Sequence, residues 1–191
     1  MKNNKNLLVL ALLVVVGAGG FFWNKSRLIE KQTKGEATSV PTNSPTTQPT
    51  PNFPQTIGNF LVTDREVCQK DGKTIIYFFG STSCPHCVWE KPIVEKVAKQ
   101  FGDLVDFHEN VDSQADSEIF NQYSDINPGY VPFLVLGCKY ARVGAGENLG
   151  KDEEESKILE EQALTAIVCK LTDNKPSSVC ASIKDKVAEI K

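Results

Sequence analysis

The sequence predicts an α/β domain, a central mixed sheet flanked by helices, set behind an N-terminal apolar segment and a long tether. Three observations predict it. A run of β-branched and aromatic residues, Thr74 to Phe79, stops at Gly80 as a buried central strand does. An apolar repeat at helical spacing follows through Ile93, Val97 and Phe101, then a strand-like run from Leu104 to Val111, so the three form a βαβ unit with parallel strands. Ahead of them, residues 37–56 are built mostly from Thr, Ser, Pro, Asn and Gln and hold five of the ten prolines, a composition that cannot bury enough apolar surface to fold. With 191 residues, 40% of them hydrophobic and 24% charged, there is room for one such domain and not for two large ones.

Taken from the N-terminus, residues 1–6 are a short basic tail carrying Lys2 and Lys5. Residues 7–23 are uncharged and mostly apolar, close to the length that crosses a hydrocarbon core, so the segment is a membrane anchor or a cleaved signal peptide. A signal peptidase would cut after Ala18, whereas Phe21, Phe22 and Trp23 read as an interfacial belt that continues the span. Lys25, Arg27, Lys31 and Lys34 outnumber the charges before the segment, and a plain positive-inside count would leave the C-terminus in the cytoplasm. Against that, a very short basic tail directly followed by an apolar run is how export signals begin, and six cysteines between Cys68 and Cys180 suit an oxidising side. The expected location is the cell membrane, single-pass, with the folded part outside the cytoplasm. Residues 24–56 are expected to act as an extended tether, and residues 57–191 to fold.

Within the folded part, Ser81 to Ser83 form a turn and the helix runs over Val88 to Phe101. Ala115 to Tyr123 predicts a short helix, Val131 to Gly137 a third strand, and Lys139 to Val143 an antiparallel return strand. Asp152 to Leu171 and Ser178 to Ile190 predict two closing helices, and there is no internal repeat. Residues 57–191 hold 15 basic and 22 acidic residues, a net charge of −7, which argues against nucleic acid as a partner.

The chemistry sits in Cys84-Pro85-His86-Cys87, at the turn from a strand into a helix. Unpaired N–H groups and the positive end of the helix dipole stabilise a thiolate there, and such thiols titrate at roughly 3.5 to 7.5. Cys84 is the candidate exposed nucleophile. Cys87, one turn further on, is the candidate resolving thiol that attacks the mixed disulfide and releases the partner. His86 can donate to the Cys84 sulfur and, protonated, favours thiolate; both effects make the disulfide more oxidising. A half zinc site is the competing reading, but a second paired-cysteine or paired-histidine cluster is missing from the sequence, so no metal is expected. A purely structural disulfide over so short a loop adds little stability.

These residues resemble the thioredoxin-fold disulfide oxidoreductases over Thr74 to Val143: an apolar strand before Cys84, the Cys-x-x-Cys, Pro92 five residues after Cys87, and Val131-Pro132 ahead of a strand. The resemblance implies a thioredoxin-like fold, a redox-active Cys84–Cys87 disulfide with no other cofactor, and a cis Pro132 beside the dithiol, with the backbone at Val131 pairing to a substrate chain. Pro85-His86 and the Val before Pro132 look like the disulfide-forming oxidases of the DsbA family. Pro132 follows Cys87 by only 45 positions, however, which leaves no room for the helical insertion of those oxidases. Phe78 stands where many members of the resembled family carry a buried carboxylate that takes the resolving thiol's proton. Water, Glu90 or Lys91 would have to serve instead.

Four cysteines remain. Cys169 and Cys180, close in sequence on two helices joined by a turn, form the better-supported pair, and Cys68 with Cys138 follows by elimination. The alternative is that Cys138 is a third redox thiol relaying electrons. Tyr77, Trp89 and Phe133 are either an apolar rim around Cys84 or core. His108 reads as a satisfied strand residue, and the acids from Asp152 to Glu155 as the solvated start of a helix.

The expected function is therefore a membrane-tethered, extracytoplasmic thiol–disulfide oxidoreductase. Its expected partners are exported cysteine-containing proteins, a membrane or extracytoplasmic redox partner, and the membrane through residues 7–23. The alternatives are an extracytoplasmic thioredoxin-like reductase and, in another class, a redox-inert copper- or zinc-binding module using Cys84, Cys87 and His86.

Overall fold

Strand-forming side chains that are buried on both faces put one segment at the centre of the sheet: in Lys73–Gly80, the six residues from Thr74 to Phe79 are all buried. The computed structural model describes residues 52–191; the apolar segment at 7–23, and the tether up to residue 51, lie outside the described residues. Among the described residues, no helix is long and apolar enough to cross a membrane. The strands are β1 (Leu61–Val62), β2 (Gln69–Lys70), β3 (Lys73–Gly80), β4 (Val105–Val111), β5 (Phe133–Leu136) and β6 (Tyr140–Val143). The helices are α1 (Pro85–Phe101), α2 (Ser117–Gln122), α3 (Glu153–Leu171), α4 (Ser177–Cys180) and α5 (Lys184–Ala188), with 3₁₀ turns at Ile57–Asn59, Gly102–Leu104 and Ala181–Ile183.

The architecture is mixed α/β. β3 pairs in parallel with β4, from Thr74 opposite Val105 to Gly80 opposite Val111, and the crossover between them is α1. Its other edge pairs antiparallel with β5, Phe79 facing Phe133, and β5 continues antiparallel to β6 and then β1. β2 is a short hairpin partner for the start of β3.

Alternation along β3 sends its side chains to two different cores. Ile76 and Phe78, with Leu134 and Leu136, meet Ile93, Val94 and Val97 of α1 and Leu164, Ile167 and Val168 of α3. Ile75, Tyr77 and Phe79 face the other way with Phe133, Val135 and Tyr123, and Phe120 of α2 packs edge-on to Phe79 and Phe133 at 5.1 and 5.5 Å between ring centres. Tyr77 and Phe133 are therefore core, and the reading of them as a rim around Cys84 is corrected.

The helix of the βαβ unit starts earlier than the apolar period alone indicates, at Pro85, because proline's fixed φ suits the first helical position and Cys84 caps the end. The single closing helix expected over 178–190 is broken into α4, a 3₁₀ turn and α5. Ser182 Oγ donates to the Val179 carbonyl at 2.8 Å, a local bond that competes with the helical ladder at the break.

Candidate functional site

Gly80 ends β3 where a side chain has no room: a Cβ there would lie 2.8 Å from the Phe78 ring and 3.4 Å from Cys87 Cβ. The turn that follows is tied to the end of β4. Asp112 Oδ2 accepts from Thr82 Oγ1 at 2.6 Å and from Thr82 N–H at 3.1 Å, while the Asp112 N–H donates to the Gly80 carbonyl at 3.1 Å. The hydroxyls of Thr82 and Ser81 and the Thr82 N–H hold the Asp112 carboxyl below the ordinary aspartate range. This bracing delivers the chain to Cys84 at a fixed angle.

Cys84 is the N-cap of α1, and its sulfur accepts from the Cys87 N–H at 3.1 Å. The two cysteines are joined as a disulfide with their Cα atoms 5.2 Å apart. Cys84 is half-buried and Cys87 is buried, the asymmetry that an attacking and a resolving thiol need. The Val131–Pro132 bond is cis, and the Val131 carbonyl oxygen lies 3.7 Å from Cys84 Sγ. Pro132 is buried and Val131 exposed. Exposed apolar side chains at this end include Val88, Tyr130, Val131 and Val143, none of which composition or periodicity singles out as a rim.

Asn127, buried, shapes the loop that carries them. Its Oδ1 accepts from the N–H groups of Gly129 and Tyr130, at 3.0 and 2.7 Å, and its Nδ2 donates to the Tyr130 carbonyl at 2.9 Å. The sequence signal for it is Asn-Pro-Gly at 127–129, a turn signature.

His86 is exposed, and its Nδ1 donates to Glu147 Oε2 at 2.5 Å. One turn beyond the dithiol, Glu90 is fully buried beside Arg142 of β6 and Glu160 of α3. Arg142 Nη2 donates to Glu90 Oε1 at 2.7 Å, and the guanidinium clamps both oxygens of Glu160 at 2.6 and 2.7 Å. Burial pushes the Glu90 carboxyl well up, against the pull of Arg142 and with Glu160 adding to it. Two carboxylates against one guanidinium thus favour retention of a proton in the cluster. Lys91 faces elsewhere, to Glu95 and to Glu109 of β4, whose hydrogen bonds raise it above the usual lysine value.

Compared with protein-family models and with curated proteins, the chain matches none.

The other cysteines form the bonds Cys68–Cys138 and Cys169–Cys180. Cys138 follows β5, whereas Val131 and the dithiol lie at the opposite end of that strand; its four residues span about 13 Å. At that far end Cys138 is paired with Cys68. His108 is satisfied between Asp116 and Asp106, at 3.0 and 3.3 Å. Trp89 is half-buried against the core, and among the described residues no group of three or more His, Cys, Asp or Glu side chains is gathered to hold a metal ion.

Proposed function

We propose that the chain is a thiol–disulfide oxidoreductase of thioredoxin-like fold, tethered to a membrane through residues 7–23 and forming or reshuffling disulfides in exported proteins. The observation that carries the reading is the Cys84–Cys87 disulfide at the N-terminus of a 17-residue helix, its outer sulfur beside Val131 and its inner one buried. The supporting frame is the βαβ unit, an antiparallel strand pair and a covering helix, in the order that the resemblance implies.

Helix N–H groups and the dipole stabilise negative charge on Cys84 when the bond opens, so Cys84 is the better leaving group and the better-exposed nucleophile. A client thiolate attacks Cys84 Sγ and expels Cys87 as a thiolate. A second client thiol then attacks the client sulfur of the mixed disulfide, releasing oxidised client and the reduced pair. Reshuffling starts from the reduced pair: the Cys84 thiolate attacks a client disulfide and displaces one client thiolate. Another client thiolate then attacks the client sulfur of the mixed disulfide and expels Cys84; where none does, Cys87 attacks Cys84 Sγ, releasing reduced client and re-forming the Cys84–Cys87 disulfide. A cleft of about 400 Å³ beside Val131, lined by Phe79, Asn110, Asp112 and Phe120, leaves room for the chain flanking a client cysteine.

The test uses the full-length chain equilibrated with glutathione buffers, with alkylation to count thiols. A potential well above roughly −200 mV supports disulfide formation, and one near or below roughly −270 mV reverses the direction to a reductase. Cys84→Ser is expected to abolish exchange, and Cys87→Ala to accumulate mixed disulfides with a disulfide-bonded client peptide, whose disulfide the Cys84 thiolate opens with release of one client thiolate. Exchange surviving in Cys84→Ser overturns the proposal.

A further inference from the structure

Glu147 has no role in the exchange just described, yet it holds the one polar side chain inside the Cys-x-x-Cys. Its loop is fastened on both sides. Before it, the Gly144 N–H donates to the Pro132 carbonyl at 2.8 Å, and the Gly146 N–H donates to buried Glu90 Oε2 at 3.0 Å. Gly146 itself packs against Glu160 with no space for a side chain. After it, the Leu149 N–H returns to the Gly146 carbonyl at 3.2 Å, and the Gly150 N–H reaches Ser156 Oγ of α3 at 3.1 Å. The buried Glu90–Arg142–Glu160 cluster thus positions the carboxylate that meets His86, and the Glu147 side chain is only 28% exposed.

A carboxylate can only accept, so Nδ1 of His86 carries the hydrogen and spends it on Glu147. The hydrogen bond that Cys84 Sγ accepts comes from the Cys87 N–H. Resting on the redox reading above, we propose that Glu147 is a positioning residue for the dithiol. Its carboxylate keeps the His86 imidazole from Cys84 and makes the disulfide less oxidising than the Cys-Pro-His-Cys motif alone would make it. A donor is thereby withdrawn from the Cys84 thiolate, which raises the reduced form relative to the disulfide.

The relevant equilibrium is balanced by glutathione. One glutathione thiolate attacks Cys84 Sγ and Cys87 leaves, taking up a proton. A second attacks the glutathione sulfur of the mixed disulfide and frees the Cys84 thiolate, so two electrons pass to the pair and oxidised glutathione forms. Measured on the full-length chain, Glu147→Gln is expected to shift this equilibrium toward the dithiol by roughly three- to tenfold, about 15 to 30 mV more oxidising. In a His86→Ala background the same substitution is expected to shift it by less than roughly twofold, about 9 mV. A shift under twofold in the single variant overturns the proposal, as does an equal shift with and without His86, which would mean that the carboxylate acts on the thiolate directly. Wild-type chain that exchanges normally while Glu147→Gln does nothing condemns this inference alone. Wild-type chain that never exchanges with glutathione removes the redox reading and this inference together.

Discussion

A fully buried carboxyl that must share one guanidinium with a second carboxyl is a liability at neutral pH, and Glu90 is in that position. In the unfolded chain a glutamate titrates near about 4.3, whereas burial keeps the Glu90 carboxyl protonated to a higher pH in the folded protein. The folded state therefore binds more protons through that window. Stability from this group is fully present below the unfolded value, falls by up to about 1.4 kcal/mol per pH unit as pH rises, and levels off above the folded value. Glu90→Gln keeps the size of the side chain and cannot ionise. Urea melts are expected to show its advantage over wild type growing with pH above about 4.3, and a difference that stays flat with pH would show that no proton is held there. Residue by residue, the cysteines were legible because Cys-x-x-Cys after an apolar strand carries its own physical context. The buried cluster of Glu90, Arg142 and Glu160 was not: the sequence offers Glu90 only as a stand-in proton acceptor, because the three lie 52 and 18 positions apart and a charged residue in a sequence reads as solvent-facing until the fold brings its partner. Glu147 and Asn127 were hidden in the same way.

Elements were legible where they were long. β3, α1 and β4 follow from runs of seven or more residues with clear periods, and α3 from a 19-residue segment opened by Asp152, whose Oδ1 accepts from the Glu155 N–H at 2.8 Å. β1 and β2 have two residues each, too few for any alternation to register, and exist because neighbouring strands offer them an edge. α4 and α5, with four and five residues, are likewise below the length at which a helix sustains itself, so the end of the chain depends on what fastens it. Fastening comes from the buried Cys169–Cys180 bond, from Lys170 Nζ donating to the Ile190 carbonyl at 2.7 Å, and from Ile190 entering the core. Removing the bond with Cys169→Ala and Cys180→Ala is expected to lower stability by about 3 kcal/mol, the entropy of an 11-residue closure. Amide exchange over 177–190 should accelerate before that of β3. Unchanged protection there would show that the apolar contacts alone hold the segment.

At the scale of the molecule, the two ends of the sheet carry different kinds of disulfide. One end holds the dithiol at a helix N-terminus, open to a partner thiol. The other holds Cys68–Cys138, which closes 70 positions of chain that include β2, β3, α1, β4, α2 and β5. Loop entropy assigns the larger stabilisation to the longer closure, about 4.4 kcal/mol for 70 residues against about 3 for 11. The far end has further ties. The Tyr123 hydroxyl donates to the Cys138 carbonyl at 2.8 Å, and burial, opposed by nearby Arg65, pushes its pKa up to about 12. The Cys68 N–H donates to the Gly137 carbonyl at 3.0 Å. These bonds use backbone and tyrosine, so they survive replacement of the sulfurs. Cys68→Ala with Cys138→Ala should therefore fold, lose about 4 kcal/mol in urea melts, and exchange with glutathione through Cys84 and Cys87 at the wild-type rate and potential. A stability loss with unchanged exchange separates the structural bond from the chemistry. A changed potential would mean instead that the two ends of β5 are coupled through the strand, and Cys138 would return as part of the redox site.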